Sequence, residues 1–330
     1  MAGSGTAHLR APEDVLLRVE GLEVQFPFGR GQYVHAVSDV SFDLARGETL
    51  GLVGESGSGK STTALAVMRL LRTSASSIHF DGTDLATTEG EELRKLRPRF
   101  QMIFQDPASS VNPRRTVSQI VAEPLKLWRR DARDGWKDTV AEMLDAVGLD
   151  VEATGDRRAH EFSGGQLQRV CIARALVMQP ELLVADEPVS ALDVSIQAQI
   201  VNLLKDMKDR YGLTMLFIAH DLAVVKNISN RVAVMYVGKL CEIGDVERIY
   251  ARPAHPYTRA LLDSSPRLRV DRSEVAPAVT GDIPSPANPP SGCRFHTRCP
   301  HATDVCRREE PVMRQVAADQ FMACHHPLVD

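Results

Sequence analysis

The sequence predicts an α/β fold built on a mainly parallel sheet covered by helices on both faces, and three observations predict it. Short apolar runs of strand length recur at 49–53, 102–104, 182–185, 215–218 and 232–237. Segments with helical spacing separate most of them, the alternation expected when parallel strands are joined by helical crossovers. Gly54, which opens a glycine-rich loop, and the polar residues Gln105, Asp186 and His220 stand right after these runs. In open α/β sheets ligands gather beyond the carboxyl ends of strands, so these groups are expected on one edge.

Composition sets the outer bounds. A length of 330 residues with 43% hydrophobic content suits one large α/β domain with a smaller appendage. The net charge of −4 gives no global basic field for nucleic acid. No apolar stretch reaches the roughly 18 to 20 residues that span a bilayer, and Met1–Asp14 lacks the apolar region of a secretory signal. The chain is therefore expected in the cytoplasm, with any membrane spans supplied by other polypeptides. Residues 1–14 read as a loose tail, 15–250 as the main domain with a helical insert at about 106–180, and 251–330 as an extension.

The elements follow in order. Val15–Val24 alternates well enough to begin a sheet, and Thr49–Val53 reads as a buried parallel strand. Next comes Gly54-Glu55-Ser56-Gly57-Ser58-Gly59-Lys60-Ser61, which fits the G-x-x-x-x-G-K-[ST] pattern of a P-loop, and then a helix over Thr62–Leu71. Val117–Leu127 and Thr139–Val147 show spacing near 3.6, and Ser163-Gly164-Gly165-Gln166 opens a helix running to about Met178. Beyond Gly244 periodicity fades and prolines accumulate, from Pro253 and Pro256 through Pro266 and Pro277 to Pro289 and Pro290. That stretch reads as a connector to a cysteine module.

The P-loop glycines, Gly54, Gly57 and Gly59, let backbone N–H groups point at phosphate oxygens, with Ser56 and Thr62 beside them at a helix N-terminus. Lys60 bridges the β- and γ-phosphates in this reading, and the Ser61 hydroxyl ligates Mg²⁺. Asp186, at the end of an apolar strand, holds the same Mg²⁺, while Glu187 is free to activate the attacking water. His220 is assigned to the γ-phosphate and that water, and Gln105 to metal and water. The start of the Ser163–Gln166 helix is a second anion site, with Ser163, Gly165 and Gln166 as its contacts. One γ-phosphate does not need both sites from one subunit, which suggests two such domains facing each other across the nucleotide.

These residues together resemble the ATP-binding subunit of ABC transporters over roughly Val15–Gly244, a P-loop NTPase (RecA-like) core with an antiparallel β subdomain and an inserted helical subdomain. Phe162 stands where the signature more commonly has Leu. The resemblance implies that Ser190-Ala191-Leu192-Asp193 is the D-loop and that Phe26 stacks on adenine, with Phe28 and Tyr33 as competitors in the same loop. It further implies head-to-tail dimers that close on ATP and open on hydrolysis, and a groove near Gln105–Arg114 that receives a helix from a membrane subunit. His255–Leu262 and Gly292–Pro300 look like the C-terminal extension of dipeptide and oligopeptide importer ATPases, a group that includes nickel importers. The expected partners are two transmembrane permease subunits, a second and related ATP-binding subunit, and an extracytoplasmic solute-binding protein. The expected location is the cytoplasmic face of the membrane.

Of six cysteines, Cys171 and Cys241 lie singly in apolar patterns and read as buried hydrophobes. Cys293, Cys299, Cys306 and Cys324 crowd into the extension without paired C-x2-C knuckles. Disulfides are disfavoured in a cytoplasmic protein, and four thiolates in a poorly apolar segment suggest a metal centre in place of a core. Some relatives of this subgroup carry a [4Fe–4S] cluster, which the resemblance extends to all four positions; zinc and unligated thiols are the alternatives. The neighbouring His296, His301, His325 and His326 read as solvated or supporting groups. Three rival functions are an ABC protein acting on nucleic acid, against which the charge speaks, an iron–sulfur sensor with the ATPase as its switch, and a P-loop kinase, which has no use for the Ser163–Gln166 element; within the transporter group, import of nickel or another small solute is the alternative.

Overall fold

The computed structural model describes residues 5–29, 31–129, 135–264 and 281–329. Residues 1–4 of the expected tail, and Pro266 and Pro277 of the expected connector, lie outside the described residues. The strands in chain order are β1 (Leu17–Pro27), β2 (Tyr33–Leu44), β3 (Thr49–Val53), β4 (Ala75–Phe80), β5 (Thr83–Asp84) and β6 (Phe100–Ile103). They continue with β7 (Leu182–Asp186), β8 (Thr214–Ile218), β9 (Arg231–Tyr236), β10 (Lys239–Asp245), β11 (Arg314–Ala317) and β12 (Gln320–Met322). The chain folds as two compact units, one of Met1–Ala45, Thr49–Thr87 and Ala219–Asp330, the other of Arg46–Glu48 and Thr88–Ile218.

The first unit holds an antiparallel sheet in the order β2-β1-β4-β5. Leu17, Val19, Leu22 and Val24 of β1 are buried, and a register shift between Val19 and Leu22 keeps the apolar set on the core side. The same unit carries β3 parallel to β9, followed outward by β10, β12 and β11 in antiparallel pairs. Every residue of β3 is buried, as its unbroken apolar run requires of a strand covered on both faces. The fading periodicity beyond Gly244 conceals ordered structure. Helices form at Val246–Ala251, Pro256–Ser264 and Asp304–Arg308, and β12 pairs directly with β10. Gly244 permits that pairing, because a Cβ there would lie 2.4 Å from the Asp319 carbonyl oxygen.

The helix after the P-loop spans Lys60–Val67, shorter at its end than the expected Thr62–Leu71. Arg69 takes a left-handed φ of 53°, and the N–H groups of Arg69 and Leu70 donate back to Ala66 and Leu65. This is a Schellman termination with Arg in the position usually given to Gly, so no sequence signal marked it.

Two buried carboxylates fasten this unit. Glu242 of β10 accepts from the Ala254 and His255 N–H groups at 2.9 and 3.0 Å and from Gln320 Nε2 at 2.7 Å, tying the extension to the strand. Asp43 of β2 is fully buried and accepts from Arg10 Nε and Arg231 Nη1, each at 2.9 Å. His8 is also buried and bonds the Ser41 carbonyl at 2.7 Å, so the segment expected as a loose tail is held to β2 from His8 onward.

The second unit carries β6, β7 and β8, all parallel, with Met102 beside Val184 and Val184 beside Leu216. Its helices include Gly90–Leu96 and Val194–Tyr211 as well as those between 106 and 180. The segment expected as one helix over Val117–Leu127 forms two, Val117–Val121 and Glu123–Trp128. Pro124 has no N–H to continue the first helix and sits instead in the first turn of the second. Trp136–Ala146 buries Val140, Met143 and Leu144, and Gly164–Leu176 buries most of its apolar residues. Cys171 in this unit and Cys241 in the first are buried, as expected.

Burial works to raise the Asp43 pKa, but the hydrogen bonds and charges of Arg10 and Arg231 outweigh it and hold the carboxyl below its usual range. Its contribution to stability is therefore complete above the unfolded value of about 3.9 and is lost as pH falls through the lower folded value. Asp43→Asn is expected to destabilise the protein by about 3 kcal/mol at neutral pH, because it removes the buried negative charge that faces Arg10 and Arg231. In urea unfolding the variant should also lose less stability below about pH 4 than the parent. Two curves that stay parallel down to acid pH would refute this role.

Candidate functional site

The P-loop leaves the buried end of β3 and enters the helix Lys60–Val67. Its glycines are demanded by the fold. Gly54, Gly57 and Gly59 have φ of 156°, 77° and 103°. A Cβ at Gly54 would lie 2.1 Å from the Met235 carbonyl oxygen, and one at Gly59 would lie 2.3 Å from the Ala36 carbonyl oxygen. At Gly57 the space is open, which leaves the loop accessible at its tip. The Gly238 N–H donates to the Ser58 carbonyl at 2.8 Å, so the β9–β10 turn holds the loop from behind.

Lys60 is 4% exposed, and its ammonium donates to the carbonyls of Gly54 and Glu55 at 2.9 and 3.0 Å. The cation is thus folded over the loop that it serves. Ser61 and Thr62 follow in the first helical turn and are half-buried, while Ser56 is exposed. His220 is exposed just before Asp221, whose side chain caps the helix Leu222–Ile228 by accepting from the Ala223 N–H at 2.7 Å. Phe26, Phe28 and Tyr33, at the β1–β2 hairpin, are 38%, 63% and 47% exposed. All three rings remain available to a planar base.

In the second unit β7 is buried along its length and delivers Asp186 at its end, 5% exposed. Glu187 has φ of 43°, in the left-handed region that a Glu rarely adopts. Its N–H donates to the Ile218 carbonyl at 3.0 Å and its carbonyl accepts from Ser190 Oγ at 3.1 Å, which holds the strained backbone from both sides. Gln105, exposed after β6, donates through Nε2 to Glu187 Oε2 at 2.9 Å. The structure therefore brings together Gln105 and Glu187, the two residues of this unit assigned to the attacking water.

Ser163 caps the helix Gly164–Leu176 through a capping box: its Oγ accepts from the Gln166 N–H and its N–H donates to Gln166 Oε1 at 3.1 Å. Ser163 and Gln166 are exposed. A Cβ at Gly165 would lie 2.6 Å from Ile196 Cγ2, so this helix start packs on the first turn of Val194–Tyr211, the helix that Asp193 precedes. Asp193 is exposed, and its side chain makes no capping bond. Phe162, the departure from the commoner Leu, lies under the Arg157 guanidinium at 4.5 Å.

In the extension, Cys306 and Cys324 are buried, Cys293 and Cys299 are half-buried, and none is paired in a disulfide. Burial, followed by the proximity of the other thiols, pushes the Cys293 pKa up to about 12 and that of Cys324 up to about 11. The Cys293 N–H donates to the Cys306 carbonyl at 2.8 Å. The rings of His296 and His325 are engaged with the carbonyls of Cys293 and Glu309, and that of His326 with Thr303 Oγ1. Among the described residues no three His, Cys, Asp or Glu side chains close around a point where a single metal ion could sit.

Sequence reasoning missed Glu55, Tyr257 and Arg298. Glu55 bonds both of the others, and no local pattern could have joined positions 243 residues apart.

The ABC transporter family model matches residues 37–190, and the model of the oligopeptide/dipeptide transporter C-terminal region matches 241–306. The chain is 51% identical over 312 residues to a relative from Brucella ovis named as a peptide import ATP-binding protein, covering 94% of this chain and 98% of the relative. It is 46% identical over 326 residues to the oligopeptide transport ATP-binding protein AppF of Bacillus subtilis, covering 96% and 98%. A solved dimeric ATP-binding cassette in a post-hydrolysis state with ADP and Pi matches with a TM-score of 0.64 at 27% identity, covering 70% of this chain and 98% of that one. The cbiO1 protein of Clostridium perfringens, part of an ABC transporter complex, matches at 0.63 with 29% identity, covering 72% and 91%. With a P-loop of this geometry and relatives that align almost end to end, the chain belongs to the ABC transporter family as an ATP-hydrolysing subunit of the oligopeptide/dipeptide transporter group.

Proposed function

We propose that this ATPase powers import of dipeptides or oligopeptides through two separate transmembrane permease subunits, at the cytoplasmic face of the membrane. The observation that carries the reading is the near end-to-end alignment with relatives named for peptide import, which spans both the cassette and its C-terminal region. No described helix is long and apolar enough to cross a membrane, so the spans come from partners. A second, related ATP-binding subunit and an extracytoplasmic solute-binding protein complete the proposed system.

In this mechanism the loop at Gly54–Gly59 and the helix start at Lys60–Thr62 bind the triphosphate, and one of Phe26, Phe28 and Tyr33 stacks on the base. Ser61, Asp186 and Gln105 offer only hard oxygen ligands, the donor set that suits Mg²⁺. The metal, when bound, neutralises charge that develops on the phosphate oxygens. Glu187 accepts a proton from the attacking water. The Gln105 amide orients the carboxylate, as supported by its bond to Glu187 Oε2. His220 contacts the γ-phosphate side. Ser163, Gly165, Gln166 and Asp193 serve the nucleotide of a facing subunit, a role supported by their exposure around a capped helix start.

For the four cysteines we infer a polynuclear thiolate centre of [4Fe–4S] type. The bond from the Cys293 N–H to the Cys306 carbonyl at 2.8 Å ties two of the four cysteines together, and soft thiolates select iron–sulfur centres or zinc. Anaerobically purified protein is expected to carry iron and acid-labile sulfide, both lost on Cys→Ser replacement at Cys299. Metal analysis that finds stoichiometric zinc, or neither element, would overturn this assignment.

Glu187→Gln keeps the side-chain shape and removes the base. It is expected to bind ATP with unchanged affinity while steady-state hydrolysis falls by about 10² to 10⁴-fold. Peptide uptake by cells relying on that variant should fall with it. Undiminished turnover would exclude Glu187 as the base; normal peptide uptake in cells lacking the chain would exclude the transport reading.

A further inference from the structure

The P-loop has a second support, and it comes from the C-terminal extension. Arg298 grips Glu55 with both arms of its guanidinium, Nη1 donating to Oε2 at 2.7 Å and Nη2 to Oε1 at 3.0 Å. The Tyr257 hydroxyl accepts from the Glu55 backbone N–H at 2.9 Å. Glu55 is thus fixed at its side chain and at its main chain by two residues from the same region. The Arg298 side chain is 6% exposed, and its Nε, buried, has no acceptor among the described residues. Its burial is therefore compensated mainly by the carboxylate, with a weaker bond to the Tyr236 hydroxyl at 3.3 Å.

The backing of this clamp is rigid. The Tyr236 and Tyr257 rings lie 4.5 Å apart, and the Phe295 ring lies 5.2 Å from each. All three are almost fully buried. The Arg298 N–H donates to the Phe295 carbonyl at 3.0 Å, so the turn that carries Arg298 is anchored to this aromatic group. Cys299, the next residue, belongs to the cysteine module. The Arg294 guanidinium reaches Ser38 Oγ at 2.9 Å and the Val237 carbonyl, which joins the module to the turn behind the P-loop.

We propose that Arg298 and Tyr257 are positioning residues for nucleotide binding, holding the P-loop through Glu55 in the form that accepts phosphate before the nucleotide arrives. The physical basis is preorganisation. A loop that spends only part of its time in the competent form binds with an apparent Kd raised by the inverse of that fraction, while turnover of the saturated enzyme is unchanged. The Glu55 carboxylate also lies one residue from the loop's first glycine, where an unneutralised charge would repel a triphosphate; Arg298 cancels it. The extension thereby becomes part of the ATP site through the loop residue Glu55.

The inference rests on the P-loop reading of residues 54–61, so its test carries a separate control. With the full-length protein and MgATP, Arg298→Gln is expected to raise Kd and KM about tenfold with kcat retained. Tyr257→Phe, which keeps the ring packing and removes only the acceptor, is expected to raise them about threefold and carries the test should Arg298→Gln lose its fold by thermal melting. The double variant Glu55→Gln with Arg298→Gln should bind no more weakly than Arg298→Gln alone, since both remove one interaction. Unchanged affinity in the two single variants, or losses that multiply in the double variant, would overturn the proposal. Unchanged ATP affinity in Lys60→Ala would instead remove the P-loop reading beneath it.

Discussion

The close approach of the P-loop backbone to its neighbours is the constraint on which the site depends. Gly54 presses on the Met235 carbonyl and Gly59 on the Ala36 carbonyl, at distances that no side chain can share. Gly238, at φ of 79°, meets the same crowding, for a Cβ there would lie 3.0 Å from the Ala36 carbonyl oxygen. The loop is therefore shaped as much by the ends of β9 and β2 as by its own sequence. Glycine is needed here for lack of room as well as for its range of φ. Because β9 is the strand that also presents Tyr236, the same packing sets the wall against which Arg298 and Tyr257 lie.

What was legible in the sequence was whatever leaves a periodic or compositional trace. The parallel strands were found because full burial writes an unbroken apolar run, and β3 begins and ends where that run does. The P-loop was found because its chemistry fixes both residue types and spacing. Boundaries set by tertiary contacts were not legible: Arg69 ends its helix without the usual glycine, and Pro124 divides a stretch whose apolar spacing is continuous. The start of the extension was misread as connector for a related reason. Its prolines read as a connector, yet Pro256 opens a helix, and β12 needs only three residues to add itself to β10.

The same distinction applies within the site. Glu187 and Gln105 were chosen separately, each from its place after a strand, and their hydrogen bond is a fact of the fold that neither position implied. The left-handed backbone at Glu187 costs of order 1–3 kcal/mol in a residue with a Cβ. It is maintained by the Glu187 N–H bond to the Ile218 carbonyl, which extends the β7–β8 ladder, and by the Ser190 hydroxyl, which donates to the Glu187 carbonyl. Strain of this kind persists only where the surrounding structure over-determines it, and here it accompanies a carboxylate fixed toward Gln105.

Ion pairs in this chain divide along that line. Arg46 and Arg99 flank Glu181 near the surface, where solvent screens the attraction and each pair is worth about 0–1 kcal/mol. Arg298 and Glu55 form a more buried pair, and desolvation of such a pair commonly cancels most of its Coulombic gain. A hydrophobic pair of the same volume would hold the extension to the loop about as firmly. It could not fix the direction of a loop backbone, because dispersion contacts have no preferred angle, whereas a two-armed guanidinium admits one carboxylate orientation. The pair is thus better understood as setting geometry at the nucleotide loop than as adding to the stability of the fold.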